Sequence, residues 1–332
     1  MLPVDAHVHI VGNGATGSGC WLRPHGWYRW LGRYMCRHIG LSPNAFTLPD
    51  FDERYVEHLL HLVRSSSLHR IVILACDHAH NPEGTRFDAG IFYVPNDYVL
   101  GLARQHPEFL PAVSIHPARP DALDELDRCV AGGAVLMKCL PNCQNINCND
   151  PRYRPFWERM AAHRLPLLAH TGGEHTLPEI EPRFADPRTL TLPLECGVTC
   201  IAAHCAGRAL FDPEYFHIFA EMTHRYPNLY GDLSGFNIPV RARLYRRARQ
   251  PPLVERLIHG SDFPVPTMPI WPWLWRQLSW RTYRQLARIA NPLERDYQTK
   301  RALGFPTATF TRITALIPVS SPGQTKAEPF RQ

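Results

Sequence analysis

The chain has 332 residues, 45% of them hydrophobic and 20% charged, with a net charge of +6. That composition excludes a disordered or fibrous protein, the length buries a sizeable core without disulfide staples, and no apolar run approaches the ~20 residues of a membrane span. The charge is too modest for this size to argue for nucleic acid. Ten cysteines fall far short of a disulfide scaffold, and the first residues lack a basic stretch followed by an apolar one, so the expected setting is cytoplasmic with reduced thiols.

In chain order, short apolar runs at residues 4–10, 70–76, 110–115, 134–140, 166–170, 199–204, 228–233 and 256–262 read as strands. Amphipathic segments separate them. Tyr55, Val56, Leu59, Leu60 and Val63 share one face of a helix over residues 53–64. Asp121 starts a second helix; Asp150-Pro151 and Asp212-Pro213 carry the start signal of a capping residue followed by proline for two more. Eight strands alternating with helices predict a (β/α)8 TIM barrel, an α/β fold, with a doubly wound open sheet as the structural alternative. Residues 1–305 form the barrel domain in this reading. Residues 12–49 are a long insertion after strand one, whose Trp21, Trp27, Tyr28, Trp30 and Tyr34 favour order. Residues 306–332 read as a weakly structured tail.

The strongest chemical signal is Asp5-Ala6-His7-Val8-His9 in the first run. On a strand, residues i and i+2 point the same way, so His7 and His9 can reach one metal ion. They sit at the carboxyl end of the strand, where barrel enzymes place their chemistry. Lys138, His170, His204 and Asp262 end later runs in the same manner. Taken singly, each has an ordinary reading as a salt-bridged lysine, a hydrogen-bonded histidine or a turn cap. Their recurrence at four strand ends is what makes them a site.

The order His-x-His, Lys, His, His, Asp on strands one, four, five, six and eight resembles the amidohydrolase superfamily. The words around it, Asp5-Ala6-His7-Val8-His9, His170-Thr171-Gly172, Ala203-His204-Cys205-Ala206-Gly207 and His259-Gly260-Ser261-Asp262-Phe263-Pro264, resemble its amidohydrolase-related branch of hydrolases and decarboxylases. The resemblance implies His7, His9, His170 and Asp262 as metal ligands and Asp262 and His204 as catalytic groups. Lys138 and His204 join the ligands if the centre is binuclear; in a mononuclear centre Lys138 contacts substrate. The branch favours one ion over two. Imidazole and carboxylate donors suit Zn²⁺, with Mn²⁺ or Fe²⁺ admitted on availability. A bound ion lowers the pKa of water to about 7, so hydrolysis of a small organic substrate of amide, ester or lactone type is the first expectation. Non-oxidative decarboxylation of an aromatic or unsaturated acid is the second, and a non-enzymatic binding protein on a barrel scaffold the third.

Weaker features complete the reading. His78, His116 and Arg119 follow strands two and three and are candidate substrate contacts. Arg241, Arg243, Arg246, Arg247 and Arg249 read as the solvated face of a helix, with an anion-binding lid or a partner surface as the alternative. Cys139, Cys143 and Cys148 lack the spacing of a structural zinc site. Trp271, Trp273 and Trp275 would pack over the barrel or wall a pocket. The expected partner is a small-molecule substrate, with no nucleic acid or membrane, and the aromatic insertion would suit a homodimer interface.

Overall fold

The computed structural model describes residues 2–318. Eight parallel strands form one sheet in sequence order: β1 (Val4–His9), β2 (Arg70–Leu74), β3 (Phe109–Val113), β4 (Leu136–Cys139), β5 (Leu167–Ala169), β6 (Cys200–Ala202), β7 (Leu229–Asp232) and β8 (Leu257–Ile258). The ring closes between β1 and the segment after β8: Ala6 N–H donates to His259 O at 3.0 Å, Asp262 N–H to His7 O at 2.9 Å and His9 N–H to Phe263 O at 2.7 Å. The fold is therefore the expected TIM barrel, and the open-sheet alternative falls.

Strands buried on both faces read as unbroken apolar runs, which is why all eight were visible. The ladders stop short of those runs. β6 ends at Ala202 and β8 at Ile258, while His204 (φ 59°) and Asp262 (φ 69°) lie beyond them in the left-handed region. The chain turns inward at each strand exit and aims these side chains over the mouth of the barrel.

Side chains from all eight strands, among them Val4, Val72, Leu110, Leu136, Leu168, Ile201 and Ile258, pack in the interior, so the barrel is a filled core rather than a channel. Outside it lie α2 (Phe51–Arg64), α3 (Asn96–Gln105), α4 (Ala122–Ala131), α5 (Arg154–Ala162), α6 (Thr191–Glu195), α7 (Phe216–Arg225) and α8 (Pro292–Ala302). Asp212 does not cap α7. Its carboxylate accepts the amides of Ala209 and Leu210 and pairs with His175, and the helix begins four residues later at Phe216.

The insertion is ordered. It contains the helix α1 (Gly26–His38), and Trp21–Leu22 pairs antiparallel with Phe92–Tyr93. Residues 306–317, expected as the start of a loose tail, instead form α9 (Thr307–Thr311) and α10 (Ile313–Leu316). Phe310 and Ile313 are fully buried, and Ile313 packs among the interior side chains at the amino end of the barrel. An open barrel end would expose those apolar groups to water, so the chain covers it. Residues 319–332, the rest of the expected tail, lie outside the described residues. Among the described residues no helix is long and apolar enough to cross a membrane, and all ten cysteines are free thiols.

A candidate metal centre at the mouth of the barrel

His7 and His9 extend to the same side of β1, as their spacing requires, with their Nε2 atoms 3.2 Å apart. Asp262 arrives from the β8 exit and places Oδ1 3.3 Å from His7 Nε2 and 3.4 Å from His9 Nε2. These three side chains can offer ligand atoms that all lie within 4.8 Å of one another. The tautomer of His7 follows from its other nitrogen: Nδ1 lies 2.7 Å from Asp232 Oδ2, a carboxylate that only accepts, so Nδ1 carries the proton and Nε2 keeps its lone pair. Two imidazole nitrogens and a carboxylate oxygen thus converge on a small space where a cation is the natural complement.

His170 and Lys138 lie alongside, His170 against His204 and Lys138 against His7. His170 is buried, with Nε2 free of any hydrogen-bond partner and Nδ1 3.6 Å from Glu174 Oε2. A buried polar atom without a partner is costly. The free lone pair makes His170 a candidate further donor on the cavity wall, and imidazoles with a carboxylate are donors of the kind that suits Zn²⁺. Lys138 is fully buried and its Nζ lies 3.2 Å from His7 Nε2. Burial lowers the Lys138 pKa, against the attraction of Asp232 and Asp262.

His204 lies beside this cluster, its ring centroid 5.0 Å from that of His170 and 5.4 Å from that of His7. Nδ1 is 2.9 Å from the carbonyl of Ser234, which can only accept, so Nδ1–H donates there and the Nε2 lone pair remains. Burial, reinforced by the charge of Arg241, keeps His204 neutral by pushing its pKa well down. Asp262 responds in the opposite way. Burial would raise its pKa, but attraction toward His204 and His7 in their charged forms and a hydrogen bond with His9 outweigh burial and lower it. Gly235 (φ 60°) permits the crowding here: a Cβ at that position would lie 2.9 Å from both Asp262 Oδ2 and Arg241 Nη1.

Three contributors were not anticipated. Asp232, at the end of β7, accepts from His7 Nδ1, from the amides of His204 (2.8 Å) and Ser234 (3.1 Å) and from Ser234 Oγ. It orients two of the site's histidines, and as the one charged residue in the run 228–233 it was open to detection. Arg241 is no part of a solvated face. It is buried and holds the carbonyls of Gly207 (3.0 Å) and Gly173 (2.7 Å) across the mouth. Glu174 braces His170 and accepts from Thr176.

A cavity of about 680 Å³ opens directly onto the site, with His9, His170, His204, Arg241 and Asp262 among its lining residues. His78, His116 and Arg119, expected as substrate contacts, do not reach it. His78 stacks on Tyr93, with ring centroids 4.0 Å apart, beside a small side pocket. His116 is fully buried, its Nε2 bonded to Gln144 O at 3.0 Å and its Nδ1 accepting the Ala118 amide at 3.1 Å. Arg119 pairs with Asp77 (3.1 Å) and Asp121 (2.7 Å). The loops after β2 and β3 fold these groups onto one another. Trp271, Trp273 and Trp275 stay outside the cavity as well; Trp273 stacks on Tyr283.

With the geometry in place, comparison with known proteins decides the family. A family model described as amidohydrolase matches residues 70–291, two thirds of the chain. The chain belongs to this amidohydrolase family. The matched stretch contains Lys138, His170, His204, Asp232 and Asp262, while His7 and His9 precede it. No curated protein sequence matches the chain. Similar solved structures include an uncharacterised TIM-barrel protein from Bordetella bronchiseptica, 16% identical with a TM-score of 0.61, covering 95% of this chain and 99% of that one. A probable 2-pyrone-4,6-dicarboxylic acid hydrolase from Acinetobacter baumannii is 13% identical with a TM-score of 0.56, covering 95% and 100%. A 5-carboxyvanillate decarboxylase from Sphingomonas paucimobilis is 14% identical with a TM-score of 0.53, covering 95% and 96%. At such identities the likeness is one of fold.

Proposed function

We propose that this amidohydrolase-family enzyme is a metal-dependent hydrolase of an amide, ester or lactone. The observation that carries the reading is the meeting of His7 Nε2, His9 Nε2 and Asp262 Oδ1 beside a neutral His204, at the base of an open cavity. His7, His9, Asp262 and His170 would hold one divalent ion, Zn²⁺ by the chemistry of the donors. Such an ion, when bound, supplies Lewis acidity toward a carbonyl and makes water a nucleophile at neutral pH.

The chain's own groups do the proton work. Asp262, whose Oδ1 lies 3.3 Å from His7 Nε2, accepts the proton of the attacking water and passes it to the leaving group. His204 receives a hydrogen bond at Nε2, its ring fixed through Nδ1 by Ser234. Lys138 is buried against His7 and does not line the cavity, so its Nζ acts on His7.

A second reading, decarboxylation of an aromatic or unsaturated acid, is favoured by one feature: the buried guanidinium of Arg241 on the cavity wall, suited to a carboxylate and to negative charge developing on the substrate. The two reactions separate by product. Ester, lactone, amide and aromatic-acid panels are incubated in ¹⁸O-labelled water with carbon dioxide detection, alongside metal analysis of protein purified without chelators. One ion per chain and ¹⁸O in the product support the hydrolase. Carbon dioxide release with no ¹⁸O in the organic product transfers the assignment to decarboxylation. Two ions per chain would make Lys138 a carboxylated bridge. A chain that takes up neither Zn²⁺ nor Mn²⁺ refutes the ligand set.

A further inference from the structure

We infer that the substrate is an amphiphile: one polar head that reaches the His7–His9–Asp262 centre, carried on an extended apolar body. The inference rests on the preceding reading only for what happens to the head.

The cavity is polarised. The site side chains His9, His170, His204, Arg241 and Asp262 line its floor. Apolar groups make most of the remaining wall, and the insertion supplies much of it. Tyr28, Leu31, Met35 and Ile39 recur at three- and four-residue spacing along α1 and its last turn, and all line the cavity. An amphipathic helix ordinarily buries such a stripe against other protein. In α1 only Cys36 is buried; Tyr28, Leu31 and Met35 stay partly open toward the space above the site, and Ile39 just beyond the helix is buried. Phe46 and Phe51 continue the wall on one side, and Ile238, Val240 and Val265 on another. At the rim, the loop after β6 presents Leu210 and Phe211, the latter 94% exposed.

Size points the same way. About 680 Å³ lies in the middle of the range that encloses a drug-sized ligand. A substrate no larger than a single carboxylated ring would leave the α1 stripe facing water. An apolar tail covers it and removes that contact. The insertion is thus a binding wall, built on a barrel whose chemistry is confined to one end.

The test is a titration series with straight-chain carboxylates from butanoate to dodecanoate, kept below their micelle concentrations. Binding is measured by calorimetry on zinc-loaded and on chelator-treated full-length protein. Each added methylene is expected to tighten binding roughly fourfold until the cavity is full. Met35→Trp, which fills part of the wall, should end that gain at a shorter chain. Leu31→Phe serves the same purpose if Met35→Trp fails to fold, as judged by its thermal melt. Affinity independent of chain length, in protein that binds zinc, overturns the inference and leaves the metal reading standing. A length dependence that persists in protein unable to bind zinc supports the inference and removes the metal reading.

Discussion

The perturbation that isolates the logic of the site is Asp232→Asn. Oδ1 of Asp232 accepts two main-chain amides, from His204 and Ser234, so an asparagine must keep its carbonyl oxygen at that position. Its NH₂ group then falls where Oδ2 stood, 2.7 Å from His7 Nδ1. Two donors cannot face each other, so His7 moves its proton to Nε2, the atom that faces His9 and Asp262. The lost charge-assisted hydrogen bond is worth about 1.5–3 kcal/mol. Partners of this kind typically contribute 10–100-fold to metal affinity, or about 1.4–2.8 kcal/mol. The two magnitudes agree. Zinc competition against a chromophoric chelator at pH 7.5 should therefore show Kd raised about 10–100-fold, with circular dichroism unchanged because the main-chain bonds survive. A Kd within about twofold of the unaltered protein would refute the tautomer argument, and with it the role of His7 Nε2 as a ligand.

Metal removal should destabilise the fold, since the proposed ligands on β1, the β5 exit and the β8 exit come together to bind an ion only in the folded chain; zinc at a hundred times its Kd adds about 2.7 kcal/mol, so chelation should lower the Tm by a few degrees and zinc should restore it. His116 supplies a pH test away from the metal ligands. Burial drives its pKa down to about 4, against about 6.5 unfolded. The stability of its neutral form is fully present above pH 6.5 and is lost as pH falls toward 4, about 2 kcal/mol of it between pH 7 and pH 5. In urea unfolding, His116→Gln should reduce the difference between those two pH values by about that amount; an unchanged difference would show that His116 does not titrate as its burial requires. Ile313→Ala should cost about 3 kcal/mol in the same assay, as expected for opening a cavity at a fully buried position. A loss under about 1 kcal/mol would mean that α10 does not seal the barrel.

The eight strands were legible because a parallel strand buried on both faces is an uninterrupted apolar run, and its periodicity needs no partner to be read. His7, His9, Lys138, His170, His204 and Asp262 stood out for a related reason: each interrupts or ends such a run, where an apolar residue would otherwise pack. Asp232 obeyed the same rule and was overlooked inside its run. The rule failed for His78, His116 and Arg119. They follow strands too, but the loops carrying them turn away from the cavity, and a loop's path depends on contacts made with the loops beside it. His116 is held by Gln144, twenty-eight residues away.

Sequence by itself therefore determined the barrel and the set of residues that gather at its carboxyl end, because strand direction and side-chain alternation are local properties. Only the tertiary structure decided which nitrogen of His7 and of His204 is free, since that depends on Asp232 and Ser234 from β7 and the turn after it. It alone buried Arg241, which the sequence presents as one more arginine in a basic run. It also turned the apolar stripe of α1 toward the site rather than the core, and so made a deep apolar cavity from residues whose pattern alone describes nothing more than an amphipathic helix. Those outcomes arise from contacts between segments far apart in the chain, and no local pattern encodes them.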